Sequence, residues 1–141
     1  MEQLDIDALS DIELAVAVAV EVMGWHEFSG KAGDYPWYEV VPKTYAYDAQ
    51  LRVYRAFGIR GNDVYWEPWH DMRAAWEIVE KMVADGWYFS VMTPVGDKGD
   101  MQWAAIFARR FDGNLFGHER LGDTSGVAIM RAALAAARST R

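Results

Sequence analysis

Cysteine is absent from the 141 residues. Its absence excludes disulfides, zinc–thiolate sites and cysteine nucleophiles together, and it fits a reducing cytoplasm. Histidine is almost as scarce. His26, His70 and His118 stand far apart, and none falls in H-E-x-x-H or another metal-ligand spacing. His70-Asp71 and His118-Glu119 are sequence neighbours, and adjacent side chains diverge on a strand or a helix. No metal and no cofactor is therefore expected. The serines, Ser10, Ser29, Ser90, Ser125 and Ser139, lack a G-x-S-x-G setting, and no glycine-rich phosphate loop is present. No catalytic residue is identified, so the expectation is a protein that is not an enzyme.

Long apolar runs are missing too. The run Leu14–Val20 is far too short to span a bilayer. It follows an acidic start, where a secretory signal would have a basic one. The expectation is a soluble cytoplasmic protein with no membrane partner. Basic residues are nearly absent from the first forty positions, which hold nine acidic side chains against Lys31 alone. The remaining 101 residues hold twelve acidic and thirteen basic ones, giving −7 for the chain. An acidic N-terminal third disfavours nucleic acid as a partner. It suits solubility, or a basic protein partner.

What is present is aromatic and patterned. Seven tryptophans in one domain-sized chain supply large buried areas. Ser10-Asp11-Ile12-Glu13 matches the capping-box pattern, and Leu14–Met23 is apolar except for Glu21. Valines alternating at 16, 18, 20 and 22 leave a strand open, but the cap, the length and Gly24 favour a helix. So apolar a helix needs cover on several sides, and a homodimer contact is one source of it. Trp25, Gly30, Gly33 and Pro36 read as turns. Trp37–Val41 reads as a strand ending at Pro42. Ala46–Phe57 fits either a strand or a short helix, Gly58–Asp63 is a turn, and Val64–Trp66 is a brief extended segment.

From Met72 the spacing predicts a helix over about Asp71–Asp85. Its buried stripe is Met72, Ala75, Trp76, Val79, Met82 and Val83, with Trp76 as a core anchor and Gly86 as the stop. Strands follow at Trp87–Thr93, Met101–Arg109 and Leu115–Leu121, separated by turns at Pro94–Asp100 and Phe111–Asn114. A last helix starts at Asp123-Thr124-Ser125, capped by Asp123, and buries Val127, Met130, Leu134 and Ala137. Strands that are apolar on both faces want cover on both. The expected fold is α+β: a three-layer α/β/α sandwich with a small antiparallel sheet between helices, in one domain over residues 1–141.

Three segments resemble the phage ABA sandwich domain family: Glu21-Val22-Met23-Gly24-Trp25, Asp71 to Met82 with its Ala-Trp-Glu core, and Asp123-Thr124 ahead of Arg131-Ala132-Ala133-Leu134. The resemblance covers roughly residues 10–25 and 68–137. It implies an α/β/α sandwich in a small phage or prophage protein, and it brings no catalytic residues. Residues 26–67 look like a family-variable insertion. His70 departs from the family's small hydroxyl cap, and Ser125-Gly126 from its usual pair after Asp-Thr.

Two binding functions follow. One is a protein-binding or regulatory module, antagonising a host protein through the acidic N-terminal surface. The other is a small-ligand protein sequestering a nucleotide signal. For a ligand, the candidate residues are Trp66, Trp69 and His70 at the proline corner, and Arg109, Arg110, His118 and Arg120 at the strand ends. Expected partners are a second copy of the chain, a host protein or a nucleotide.

Overall fold

The computed structural model describes residues 5–32, 35–41, 55–57, 64–95 and 102–140, with side chains for those outside 26–65 and 94–95. The expectations for Pro42, for Ala46–Tyr54, for the turn Gly58–Asp63 and for Gly96–Met101 lie outside the described residues.

After a short 3-10 turn (Ile6–Ala8), helix α1 spans Asp11–Glu21. Its start is a complete capping box: the Ser10 hydroxyl accepts from the Glu13 N–H at 3.2 Å, and the Glu13 carboxylate accepts from the Ser10 N–H at 3.0 Å. These bonds hold the Glu13 carboxyl below its ordinary value. Gly24 closes the helix with φ +73°, and the next N–H, of Trp25, donates to the Ala19 carbonyl.

A four-stranded sheet follows, in the order β1 (His26–Ala32), β2 (Tyr35–Val41), β3 (Arg55–Phe57) and β4 (Val64–Tyr65). The first two pairings are antiparallel and the last is parallel. The turns expected at Gly30 and Pro36 are instead strand: Gly30 pairs with Trp37, and Pro36 with Lys31. Proline is tolerated there because β3 reaches only Tyr38–Val40 on the other side of β2, so that among the described residues Pro36 has one neighbouring strand.

Helix α2 spans Met72–Ala84. It is capped by the Asp71 carboxylate, which accepts from the Arg73 N–H at 3.0 Å, and Gly86 stops it with φ +98°. The buried face differs from the expected stripe. Ala74, Ala75, Ile78, Val79 and Met82 are buried, whereas Met72, Trp76 and Val83 are about half exposed, Trp76 at 49%. Trp76 is thus a flank residue, not a core anchor. Ala74 and Ala75 let α2 lie close on its neighbour, and the indole is displaced to the side, where it meets the Phe89 ring edge-on at 6.1 Å.

Strands β5 (Tyr88–Val95), β6 (Gln102–Phe111) and β7 (Asn114–Gly122) form an antiparallel meander in that order. Pro94 and Val95, expected in a turn, extend β5 past a register shift between Met92 and Val95. Asp112 (φ 55°) and Gly113 (φ 81°) make a two-residue turn in which both φ are positive, as a type I′ hairpin requires. Helix α3 (Ser125–Ser139) packs on β6 and β7 and is flanked by α1 and α2. Its cap is Thr124, not Asp123. The Thr124 hydroxyl accepts from the Val127 N–H at 3.1 Å and donates to the Trp69 carbonyl at 2.6 Å, while the Asp123 carboxylate accepts from the Gln102 amide.

Ten residues of α3 are buried, six of them Gly or Ala, so three elements can crowd one helix. The cover expected for α1 comes from within the chain: Leu14, Ala15, Val16, Val18 and Ala19 join the core with α3, which removes the apolar α1 surface as a reason for dimerisation.

The α+β class is as expected, with three helices and a three-stranded antiparallel meander, although among the described residues the helices cover only one face of that meander. The core joins the helices to the inner face of the meander, which carries Trp87, Phe89, Trp103, Ala105 and Phe107. The opposite, outer face carries Tyr88, Ser90, Met92, Ala104, Ile106, Ala108, Leu115, Gly117, Glu119 and Leu121, as the register requires. A Cβ on Gly117 would meet Ile106 and Ala108, which places all three on that side.

Candidate functional site

The proline corner is a packing device. Trp66 is fully buried, and its ring lies 4.8 Å from that of Trp25. Trp69 is half-buried and lends its carbonyl to Thr124. His70 is exposed and bonds to the Glu67 carboxylate at 2.8 Å. The corner therefore locks the start of α3 against the chain ahead of α2.

Arg109 is also occupied. Its guanidinium stacks over the Trp87 ring at 4.5 Å and donates to the Asp85 carbonyl at the C-terminus of α2. On another side of the same indole the His118 ring stands at 5.9 Å. An open cleft of about 480 Å³ is lined by Glu21, Val22, Met82, Asp85, Trp87, Arg109, Ala137 and Thr140. It lies where the C-terminal ends of α1, α2 and α3 converge. Glu21, Asp85 and helix C-termini favour cations there, and Arg109 supplies one.

Register puts His118 opposite Phe107 and Arg120 opposite Ala105, on the inner face beside α3. Together with Asp5, Ile6, Ala135, Arg138 and Ser139 they line a second cleft of about 450 Å³. Burial, and then the Arg120 guanidinium, push the His118 imidazole below its ordinary value, so near pH 7 it is neutral. Arg138 is committed to a bidentate pair with Glu21, both contacts at 3.1 Å. The Arg120 side chain makes no hydrogen bond or ion pair with a described residue. Of the seven candidate residues, the fold brings His118 and Arg120 into one cleft and links Arg109 to them through Trp87. Arg110 lies exposed on the outer face, and Trp66, Trp69 and His70 sit at the other end of α3. Arg138, contributed by the last turn of α3, was not among the candidates. Its position in the tail carries no spacing signal, and 117 residues separate it from Glu21.

Among the described residues no group of three or more His, Asp or Glu could hold a metal ion, and no helix is long and apolar enough to cross a membrane.

The family model for the phage ABA sandwich domain matches residues 16–134. The chain belongs to the phage ABA sandwich domain family. The match contains α1 from its second turn, both sheets and most of α3, so most of the packed core and six of the eight residues lining the first cleft lie within the family domain, whereas of the seven lining the second only His118 and Arg120 do. No curated protein and no solved structure matches this phage ABA sandwich chain.

Proposed function

We propose that this phage-associated protein acts by binding another protein, without catalysis, as a regulatory or accessory module. The observation that carries this reading is the outer face of the meander, where Tyr88, Met92, Leu115 and Leu121 are exposed around the small residues Ala104, Ala108 and Gly117. Arg110 and Glu119 edge these apolar side chains on the same face, and an exposed apolar patch rimmed by polar residues is a recognition surface more often than an accident of folding. Asp5, Asp7, Asp11 and Glu13 are exposed around the start of α1, away from that face, and give a separate acidic patch that suits a basic partner. The test is affinity capture from host extract with the full chain. A specific partner should be retained by the wild type and reduced about tenfold or more by Leu121→Glu, with the melting temperature of the variant unchanged. Capture that ignores both Leu121→Glu and Leu115→Glu would sink the reading.

A second reading rests on Arg120, the half-buried guanidinium beside neutral His118. That cleft suits one anionic group of a small ligand, as a nucleotide would offer. In a thermal-shift screen a ligand that binds only the folded protein raises its melting temperature, and Arg120→Gln should abolish the rise.

A further inference from the structure

We propose that the free edge of β5 and the adjoining flank of α2 form a homodimer interface, in which two copies of this chain pair β5 to β5 antiparallel about a twofold axis at Ser90. The surface adjoins the outer sheet face assigned above to a partner protein, and shares Tyr88 and Met92 of β5 with it.

The first observation is an unguarded edge. β5 is the first strand of the meander, and among the described residues no strand pairs with its other side. Its sequence, Tyr-Phe-Ser-Val-Met-Thr-Pro-Val, contains no charged residue. The opposite edge strand, β7, carries His118, Glu119 and Arg120. Natural sheets guard their edges with charge, proline or bulges, because an open edge recruits another strand. Here Pro94 and the register shift guard only the end of β5 and leave Tyr88–Met92 in regular register.

The second observation is on α2. Met72, Trp76 and Val83 are exposed and fall within about 40° of one another around the helix, by its 100° step per residue. This apolar stripe overlooks the β5 edge, for Trp76 touches Phe89, and Val91 beside it is also exposed. Thus the middle of the stripe stands over the middle of the strand.

Symmetry then restricts the register to axes centred on a residue, and Ser90 is the middle of the regular segment Tyr88–Met92. Directly opposed residues of an antiparallel pair point to the same face. For both helical layers to lie on one side, paired positions must keep the same parity. A centre at Ser90 does so, setting Ser90 opposite Ser90, Phe89 opposite Val91 and Tyr88 opposite Met92. The meanders join as one six-stranded sheet, and the two α2 helices run antiparallel above the seam. Arg73 and Glu80 flank the apolar stripe on the same side. Both are exposed, and neither is paired with a described side chain. An antiparallel crossing centred near Trp76 brings Arg73 of one copy to Glu80 of the other, twice, as an isologous contact demands. Five strand residues span about 17 Å and the helix about 20 Å. With a helix stacked on a sheet edge the contact is roughly 20 Å by 20 Å in projection. Side-chain relief raises its accessible area toward the low end for stable dimers, on the order of 600 Å² per partner.

The test uses the full chain. Sedimentation equilibrium should show a dimer in the micromolar range, and Val91→Lys should give a folded monomer. Arg73→Glu and Glu80→Arg should each weaken the dimer, and the two together should restore it. Because the chain has no cysteine, Ser90→Cys reads the register directly. Opposed Cα atoms about 5 Å apart suit a disulfide, so mild oxidation should cross-link Ser90→Cys about tenfold or more faster than Leu115→Cys. A wild-type monomer up to about 1 mM, or a dimer indifferent to Val91→Lys in which Ser90→Cys cross-links no faster than Leu115→Cys, would overturn the proposal. Leu121→Glu, which tests the partner-protein reading, should leave this dimer intact, so the two can fail separately.

Discussion

A Cβ built on Gly126 would stand 1.8 Å from the Pro68 carbonyl oxygen. That oxygen is backbone, held in a corner pinned by the bond from Thr124 to the Trp69 carbonyl, so it cannot swing aside as a flexible side chain would. Gly126→Ala should therefore lower stability by about 1–3 kcal/mol, the range for overpacking a filled site, as read by chemical denaturation. His118 makes a second prediction at this scale. Burial and then Arg120 depress its folded pKa below the unfolded value near 6.5. A depressed pKa contributes stability that is present above the unfolded pKa and is lost as pH falls through the folded one. The melting temperature should accordingly drop as the pH falls below about 6.5, and His118→Gln should flatten that part of the curve. An equal slope in wild type and variant would refute this account.

At the scale of elements, local chemistry and tertiary demand part company along α2. Its cap, its length and its stop at Gly86 follow from residues within one turn of each end. Which face it buries does not. The stripe drawn from periodicity includes Trp76 and omits Ala74 and Ile78, and the core has taken Ala74 and Ile78 in place of Trp76 because α3 lies close on that side. The meander was more legible, since the Asp112-Gly113 turn dictates its own register. By contrast β1 reads as turn and is strand. Gly30 and Lys31 carry no strand signal, and only pairing with Trp37 and Pro36 orders them.

For the whole molecule, the closing contact joins its two ends. Arg138 in the last turn of α3 grips Glu21 at the end of α1 with two bonds, both side chains largely shielded from solvent. Near helix C-termini the cation is favourable and the carboxylate is not, so Glu21 depends on Arg138. Glu21→Gln should cost roughly 1–3 kcal/mol, the range for a charge-assisted bond lost in a shielded setting. Arg138→Gln should cost about the same, and the double variant should cost less than the sum of the two in a double-mutant cycle. The same contact separates the two clefts, since Glu21 lines one and Arg138 the other.

The sequence by itself determined the capping box of α1, the glycine stops, the meander with its tight turn, the α+β class and the lack of thiol chemistry. Each of these depends on residues within a few positions of one another, or on composition alone. The tertiary structure decided what depends on distant partners. It made Trp66 and Trp69 packing residues and turned Trp76 to the flank. It spent Arg109 on capping α2 while leaving Arg120 open, and it set an uncharged strand at the edge of a sheet. A side chain's availability depends on what the rest of the chain places beside it, and spacing along the chain does not carry that information.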